Sequence, residues 1–270
     1  MSEGDAMSSN ETTRGEGAEG FPHGSYAPVV LATGVFGLFF GFIYPIEWVV
    51  GLPIFVVGLY LWAREYSVTE YEAGVIPEQK RQLLNAPSTL VAAVFVIISE
   101  ALLFGGAFVA WFFLQSNDGP WPPRGLPTLH PLMGGLETVA LLVGVLALFW
   151  ARRGVAAGNR SRLNVGILGS AAMGVVYLAL VYVDWRTLQT AGLHYTSGGY
   201  GAAYYFLSGL HVFHVVVGLL VLAFLGYRYW ARGHFDANRH TMLRVVEAYW
   251  WFLTWISAVI FFVVYLPMGA

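Results

Sequence analysis

The apolar residues of this chain gather into seven long, nearly continuous stretches, near residues 28–45, 47–66, 88–114, 131–151, 164–186, 200–230 and 245–267. A helix needs roughly 20 residues to cross the hydrocarbon core of a bilayer, and each stretch has about that length or more. In lipid the backbone must satisfy its own hydrogen bonds, which leaves helices or closed barrels. Barrel strands are shorter and alternate apolar with polar positions. The pattern therefore predicts seven transmembrane helices. Pro53 interrupts the second stretch, and only a few residues separate it from the first.

The segment before the first helix, residues 1–27, is different in kind. "MSEGDAMSSNETTRGEGAEGFPHGS" is polar, Gly-rich and acidic, with no apolar core of a signal peptide. It is expected to be a disordered cytoplasmic tail. Residues 28–270 then form one seven-helix membrane domain.

Composition agrees with the pattern: 57% of residues are hydrophobic and 11% charged, against about 25% charged in soluble domains. There are no cysteines, which removes disulfides, thiolate metal sites, Fe–S clusters and cysteine catalysis. A net charge of −2 gives no reason to expect a nucleic-acid partner. The positive charges decide an orientation. Twelve of the fourteen Lys and Arg residues fall on the side shared by the tail and the loops 67–87, 152–163 and 228–244, leaving Arg124 and Arg186 opposite. By the positive-inside rule the N-terminus is cytoplasmic and the C-terminus outside. The expected location is a cell membrane, inner or plasma.

Small residues recur at a spacing of four, as Gly166, Ser170 and Gly174 in the fifth stretch and Gly37 and Gly41 in the first. Such faces let helix backbones approach closely. Tryptophans at 48, 62, 111, 121, 150, 185, 230, 250 and 251 fall mostly near stretch ends, as interfacial anchors do.

Polar groups inside a bilayer need a reason. Glu100 lies half-way along its stretch, and the sequence names no cation for it; a protonatable or lipid-facing group and a neutral acid hydrogen-bonded to a neighbour are both open. Tyr204, Ser208, His211, His214 and Gly218 fall within an arc of roughly 120° on a helix, a polar stripe turned toward a neighbour. His211 and His214 alone do not complete a metal site, since catalytic zinc takes three protein ligands. A carboxylate as third ligand is the alternative to a hydrogen-bonding pair. Glu137 and Asp184 lie toward the outer ends of their stretches and Glu247 toward the inner end. For Glu137 and Glu247 a place in the first helical turn, favoured by the helix dipole, is the expectation. No Walker, G-x-S-x-G or dinucleotide-binding motif is present.

Several motifs in order resemble subunit III of the haem–copper oxidases, cytochrome c oxidase above all. "ISEALLFGGAFVAWFF" resembles the third helix of that subunit, with its Ser-Glu pair. "HPLMGGLETVALLVGVLALFWARRG" resembles the start of its fourth, "GYGAAYYFLSGLHVFHVVVGLLVLAF" its sixth, and "EAYWWFLTWISAVIFFVVYLP" its last. "LWARE" at residues 61–65 resembles the Trp-Arg-Asp that ends the second helix. The likeness covers about residues 30–267. The family's Asn is Glu137 here, its Gln is Val181, and Trp251 and Thr254 stand where His and Asp are usual, so the polar network joining the fifth and last helices is expected to differ.

The resemblance implies an all-α polytopic fold in which two helices lean away from five to form a lipid-holding cleft. It implies an accessory, non-catalytic subunit of a proton-pumping terminal oxidase that reduces oxygen to water. Haem and copper then belong to partner subunits, and this chain carries no metal and no catalytic residue. The implied partners are the catalytic subunit I, subunit II and phospholipids. Glu100 and Arg64 become the lipid-binding or proton-related residues. His211, His214, Ser208, Tyr204, Asp184 and Glu247 become structural polar groups. The same subunit of a quinol oxidase is the nearest alternative. A stand-alone transporter would predict an internal repeat, and no convincing one is found; a metal-dependent membrane enzyme would rest on the two histidines and an acid.

Overall fold

The computed structural model describes residues 26–40, 46–69, 88–232 and 241–268, and every regular element among them is a helix. The described residues form seven α-helices: α1 (Ala27–Phe40), α2 (Ile46–Thr69), α3 (Ser88–Asn117), α4 (Pro131–Ala156), α5 (Arg160–Thr190), α6 (Gly198–Arg232) and α7 (Thr241–Ile260). The last helix continues through a π-helical turn, Phe261–Tyr265, into a short 3₁₀ turn, Leu266–Met268. Five of them, α3 to α7, are long and apolar enough to cross a membrane, while the apolar parts of α1 and α2 among the described residues are shorter. The acidic tail predicted at the N-terminus and Gly41 lie outside the described residues.

The chain divides into two compact units, one containing α1 and α2 and the other α3 to α7. In the first unit the two helices pair antiparallel through glycines. A methyl group on Gly37 would sit 2.8 Å from the Gly51 Cα, and one on Gly58 would sit 2.6 Å from the Leu31 Cα. Without side chains at these positions the backbones meet directly, and dispersion contacts between them hold the pair. Pro53 lies inside α2 without ending it. Membrane helices accommodate such a lost backbone bond where local adjustments satisfy the freed carbonyl.

The second unit is a five-helix bundle with an apolar interior and an apolar exterior. Trp111, Leu141, Leu148, Leu207, Trp250 and Leu253 are buried, whereas Phe95, Leu102, Val109 and Phe113 of α3 and Phe262 are exposed. An exposed apolar surface of this kind is the mark of a protein solvated by lipid. The small-residue face of α5 does what its spacing predicts. Gly166 abuts Ala147 and Ala151 of α4, and Gly174 lies under Trp250 of α7 and Leu219 of α6.

Both ends of the α4–α5 pair are closed by backbone geometry. After α4, Gly158 takes a φ of 68°, and the amides of Gly158 and Asn159 return to the carbonyls of Val155 and Gly154. After α5, Gly192 takes a φ of 95°, and Gly192 and Leu193 return to Gln189 and Leu188. Each is a Schellman stop, which satisfies the last carbonyls and needs a residue tolerant of positive φ. The buried pair Leu188 and Leu193 adds its apolar clasp. Asn159 then caps α5, its side chain accepting from the Arg162 amide at 3.0 Å.

Two sequence expectations are corrected here. Trp111 and Trp250 are not interfacial anchors: both are fully buried, Trp111 edge-on to Trp121 and Trp250 packed over Gly174. Position near the end of an apolar stretch does not say which face a ring takes. Trp62, Trp150 and Trp230 are exposed, as anchors should be. Glu137 and Glu247 are not in first turns, because α4 starts at Pro131 and α7 at Thr241, and neither first turn holds an acid. Both acids lie a turn deeper, beyond the short reach of the helix dipole. Glu247 is explained by its ion pair with Arg152, not by the dipole.

Candidate functional site

The polar stripe of α6 is real, and it is shared between different neighbours. Tyr204, Ser208, His211 and His214 are all buried. Toward one end the stripe meets α5, α4 and the π-helical turn after α7. Toward the middle it meets α3.

At the first of these places Asp184 of α5 is the centre. Its Oδ2 accepts the hydroxyl of Tyr204 at 2.6 Å and that of Tyr265 at 2.9 Å, and the two hydroxyls lie 3.0 Å apart. Ser208 donates to the Tyr204 carbonyl at 2.7 Å and accepts from the Trp185 indole at 3.2 Å. Tyr265 reaches this point because Gly134 of α4 leaves room for its ring: a methyl group there would sit 2.6 Å from the ring's Cγ. Glu137, one helical turn along α4 from Gly134, lies near Tyr265 and Asp184. The polar link between the fifth helix and the last is thus made by Asp184 and Tyr265. Thr254, where the resemblance placed a missing Asp, turns instead to the carbonyls of Trp250 at 2.9 Å and Leu141 at 3.4 Å.

At the second place His214 meets Glu100, Nε2 to Oε2, at 2.8 Å, and its Nδ1 lies 2.7 Å from the Leu210 carbonyl. A carbonyl only accepts, so Nδ1 carries a hydrogen. The Glu–His contact then holds one further proton, on either the imidazole or the carboxyl. In both forms the pair is neutral as a whole, which is how a carboxyl half-way along a membrane helix is tolerated. The partner that sequence could not name for Glu100 is therefore a histidine from a helix 114 residues away. Both nitrogens of His214 are engaged, which speaks against a metal ligand. Phe104 packs against both histidine rings, at centroid distances of 6.0 Å to His211 and 5.0 Å to His214. Among the described residues no three His, Asp or Glu side chains gather as a metal would require.

The remaining candidates lie apart. Glu247 of α7 is buried and pairs with the Nε of Arg152 at the far end of α4. Arg64 lies exposed near the C-terminal end of α2, in the first unit. Tyr265 was not singled out from the sequence: "FFVVYLP" is apolar, and no spacing marks its tyrosine. The arrangement binds helices together and can share protons locally. It presents no nucleophile with an activating base.

Comparison with known proteins places this geometry. The family model described as "Cytochrome c oxidase subunit III" matches residues 25–268. The chain is 32% identical over 215 residues to the "Heme-copper oxidase subunit I+III" of Aeropyrum pernix, covering 75% of this chain and 26% of that protein. It thus spans about a quarter of that relative's length. It is 28% identical over 177 residues to "Cytochrome c oxidase subunit 3" of Synechocystis, covering 66% of this chain and 75% of the relative. To the protein of the same name from Eudorcas rufifrons it is 27% identical over 242 residues, covering 85% and 87%. With a match that runs from the first described residues of α1 to the last turn after α7, the chain belongs to the cytochrome c oxidase subunit III family.

Proposed function

We propose that this chain is the accessory, cofactor-free membrane subunit of a terminal oxidase that reduces oxygen to water, and that it sits beside the catalytic subunit I. The observation that carries this is the Aeropyrum relative, whose name joins subunits I and III in one polypeptide. A segment that can be fused to subunit I in one organism is expected to dock on it when encoded separately in another. The exposed apolar side chains of α3, Phe95, Leu102, Val109 and Phe113 among them, suit contact with lipid or with an apolar partner helix.

In this reading haem and copper belong to the partner subunits, subunit II completes the complex, and the chain sustains proton uptake and stability of the catalytic subunit. Phospholipid is bound along this subunit, with Glu100 and Arg64 the residues assigned to it. His211, His214, Ser208, Tyr204, Asp184 and Glu247 hold the bundle together. The charge bias puts the N-terminus in the cytoplasm of a cell whose plasma membrane carries the complex. The test is affinity purification of the chain from native membranes in mild detergent, with a reduced-minus-oxidised spectrum and identification of co-purifying subunits. Haem and a histidine-rich membrane partner are the expected result. A chain that arrives alone, colourless and stable overturns the proposal.

A further inference from the structure

Between α4, α5, α6 and the end of α7 lies a small, mostly enclosed cavity of about 10 Å³, lined by Glu137, Tyr177, Ser208, His211, Ser257 and Tyr265. A cavity of roughly that volume accommodates the centre of one water molecule. Two of the lining side chains have polar atoms with no partner in the protein: Oε1 of Glu137, and both ring nitrogens of His211. Glu137 is 5% exposed and His211 1%. Three neighbouring hydroxyls are engaged elsewhere. The Ser257 hydroxyl is taken by Thr138 at 3.1 Å, that of Ser208 by the Tyr204 carbonyl, and that of Tyr265 by Asp184.

Leaving such groups unpartnered inside a bilayer-spanning bundle is costly, because they lose their hydrogen bonds to water without replacement. An apolar cavity stays dry, but a polar one of sufficient size is a hydration site. We propose that the cavity is a resident water site, in which one water bridges the Glu137 carboxyl and the His211 ring. A water has two hydrogens and two lone pairs, and a neutral imidazole offers one donor and one acceptor. At the ring nitrogen it meets, the bridge therefore closes in either His211 tautomer.

With that water in place, His211 and Glu137 are linked beside the cluster that Asp184 forms with Tyr204 and Tyr265. The aromatic ring of Phe104 lies against both His211 and His214, and no hydrogen bond joins the Asp184 cluster to the Glu100–His214 pair among the described residues. The hydrated site is thus a fold-holding one, separate from the Glu100–His214 pair. It follows from the five-helix unit alone and holds whatever complex the chain joins.

The test is a map of the purified complex at a resolution that shows ordered water. Density for one water is expected within hydrogen-bond distance of both Glu137 and His211. An empty cavity, or a direct Glu137–His211 hydrogen bond that closes it, overturns the proposal. Glu137→Gln should retain the water and Glu137→Leu should lose it; density persisting unchanged in Glu137→Leu would also overturn it. If Glu137→Leu does not assemble, the unsubstituted map and the glutamine variant still decide.

Discussion

Asp184 offers a quantitative check on how the bundle is held. One carboxyl oxygen, on a residue 1% exposed, accepts two tyrosine hydroxyls from two different elements, while Oδ1 has no protein partner. Take Tyr204→Phe, Tyr265→Phe and the pair. In either single variant the surviving tyrosine still donates to Oδ2, so each should cost about 0.5–1.5 kcal/mol, the range of interhelical hydrogen bonds in membrane proteins. In the double variant the carboxyl keeps no protein donor, and the penalty for an unsatisfied buried polar group, about 1–3 kcal/mol, is added. The double loss should therefore exceed the sum of the singles by about 1 kcal/mol or more. The measurement is unfolding free energy in mixed micelles by SDS titration, with Tyr182→Phe as control. Tyr182 is two residues from Asp184 in sequence but 64% exposed, so its variant should stay within about 0.5 kcal/mol. Simple additivity, or a Tyr182→Phe effect of equal size, would refute the shared-acceptor reasoning.

Other consequences are as direct. Arg152→Met or Glu247→Gln should each destabilise by about 1–2 kcal/mol, between the values for exposed and buried pairs because the arginine is a third exposed; a double-mutant cycle with no coupling would remove the ion pair from the account. Gly174→Val should cost about 1–3 kcal/mol through overpacking, because even a Cβ there would sit 2.7 Å from the Trp250 ring; a neutral thermal midpoint would show that α7 can shift freely. Glu100→Gln keeps a hydrogen bond to His214 in reach, so initial oxidase turnover should be near normal while lipid retention or endurance over repeated turnover changes. Abolished initial turnover in a normally assembled complex would sink that assignment.

Much of this architecture was legible in one dimension. Apolar runs of bilayer length oblige the backbone to close its own hydrogen bonds, so helices and their number follow from the chain alone. The period of 3.6 residues put Tyr204, Ser208, His211 and His214 on one face, and spacing four put Gly166, Ser170 and Gly174 on another, because both statements concern a single helix. The partners were not legible. Glu100 finds His214, Glu247 finds Arg152, and Asp184 finds Tyr204 and Tyr265, at separations of 114, 95, 20 and 81 residues. Periodicity says which residues share a face and is silent on which neighbour that face meets. The same gap explains Trp250, read as an anchor and found in the core, and Glu137, read as a dipole acid and found beside Tyr265 and a water-sized cavity. Burial from water is written in the composition of a membrane chain; burial from lipid is decided only when the helices choose their neighbours.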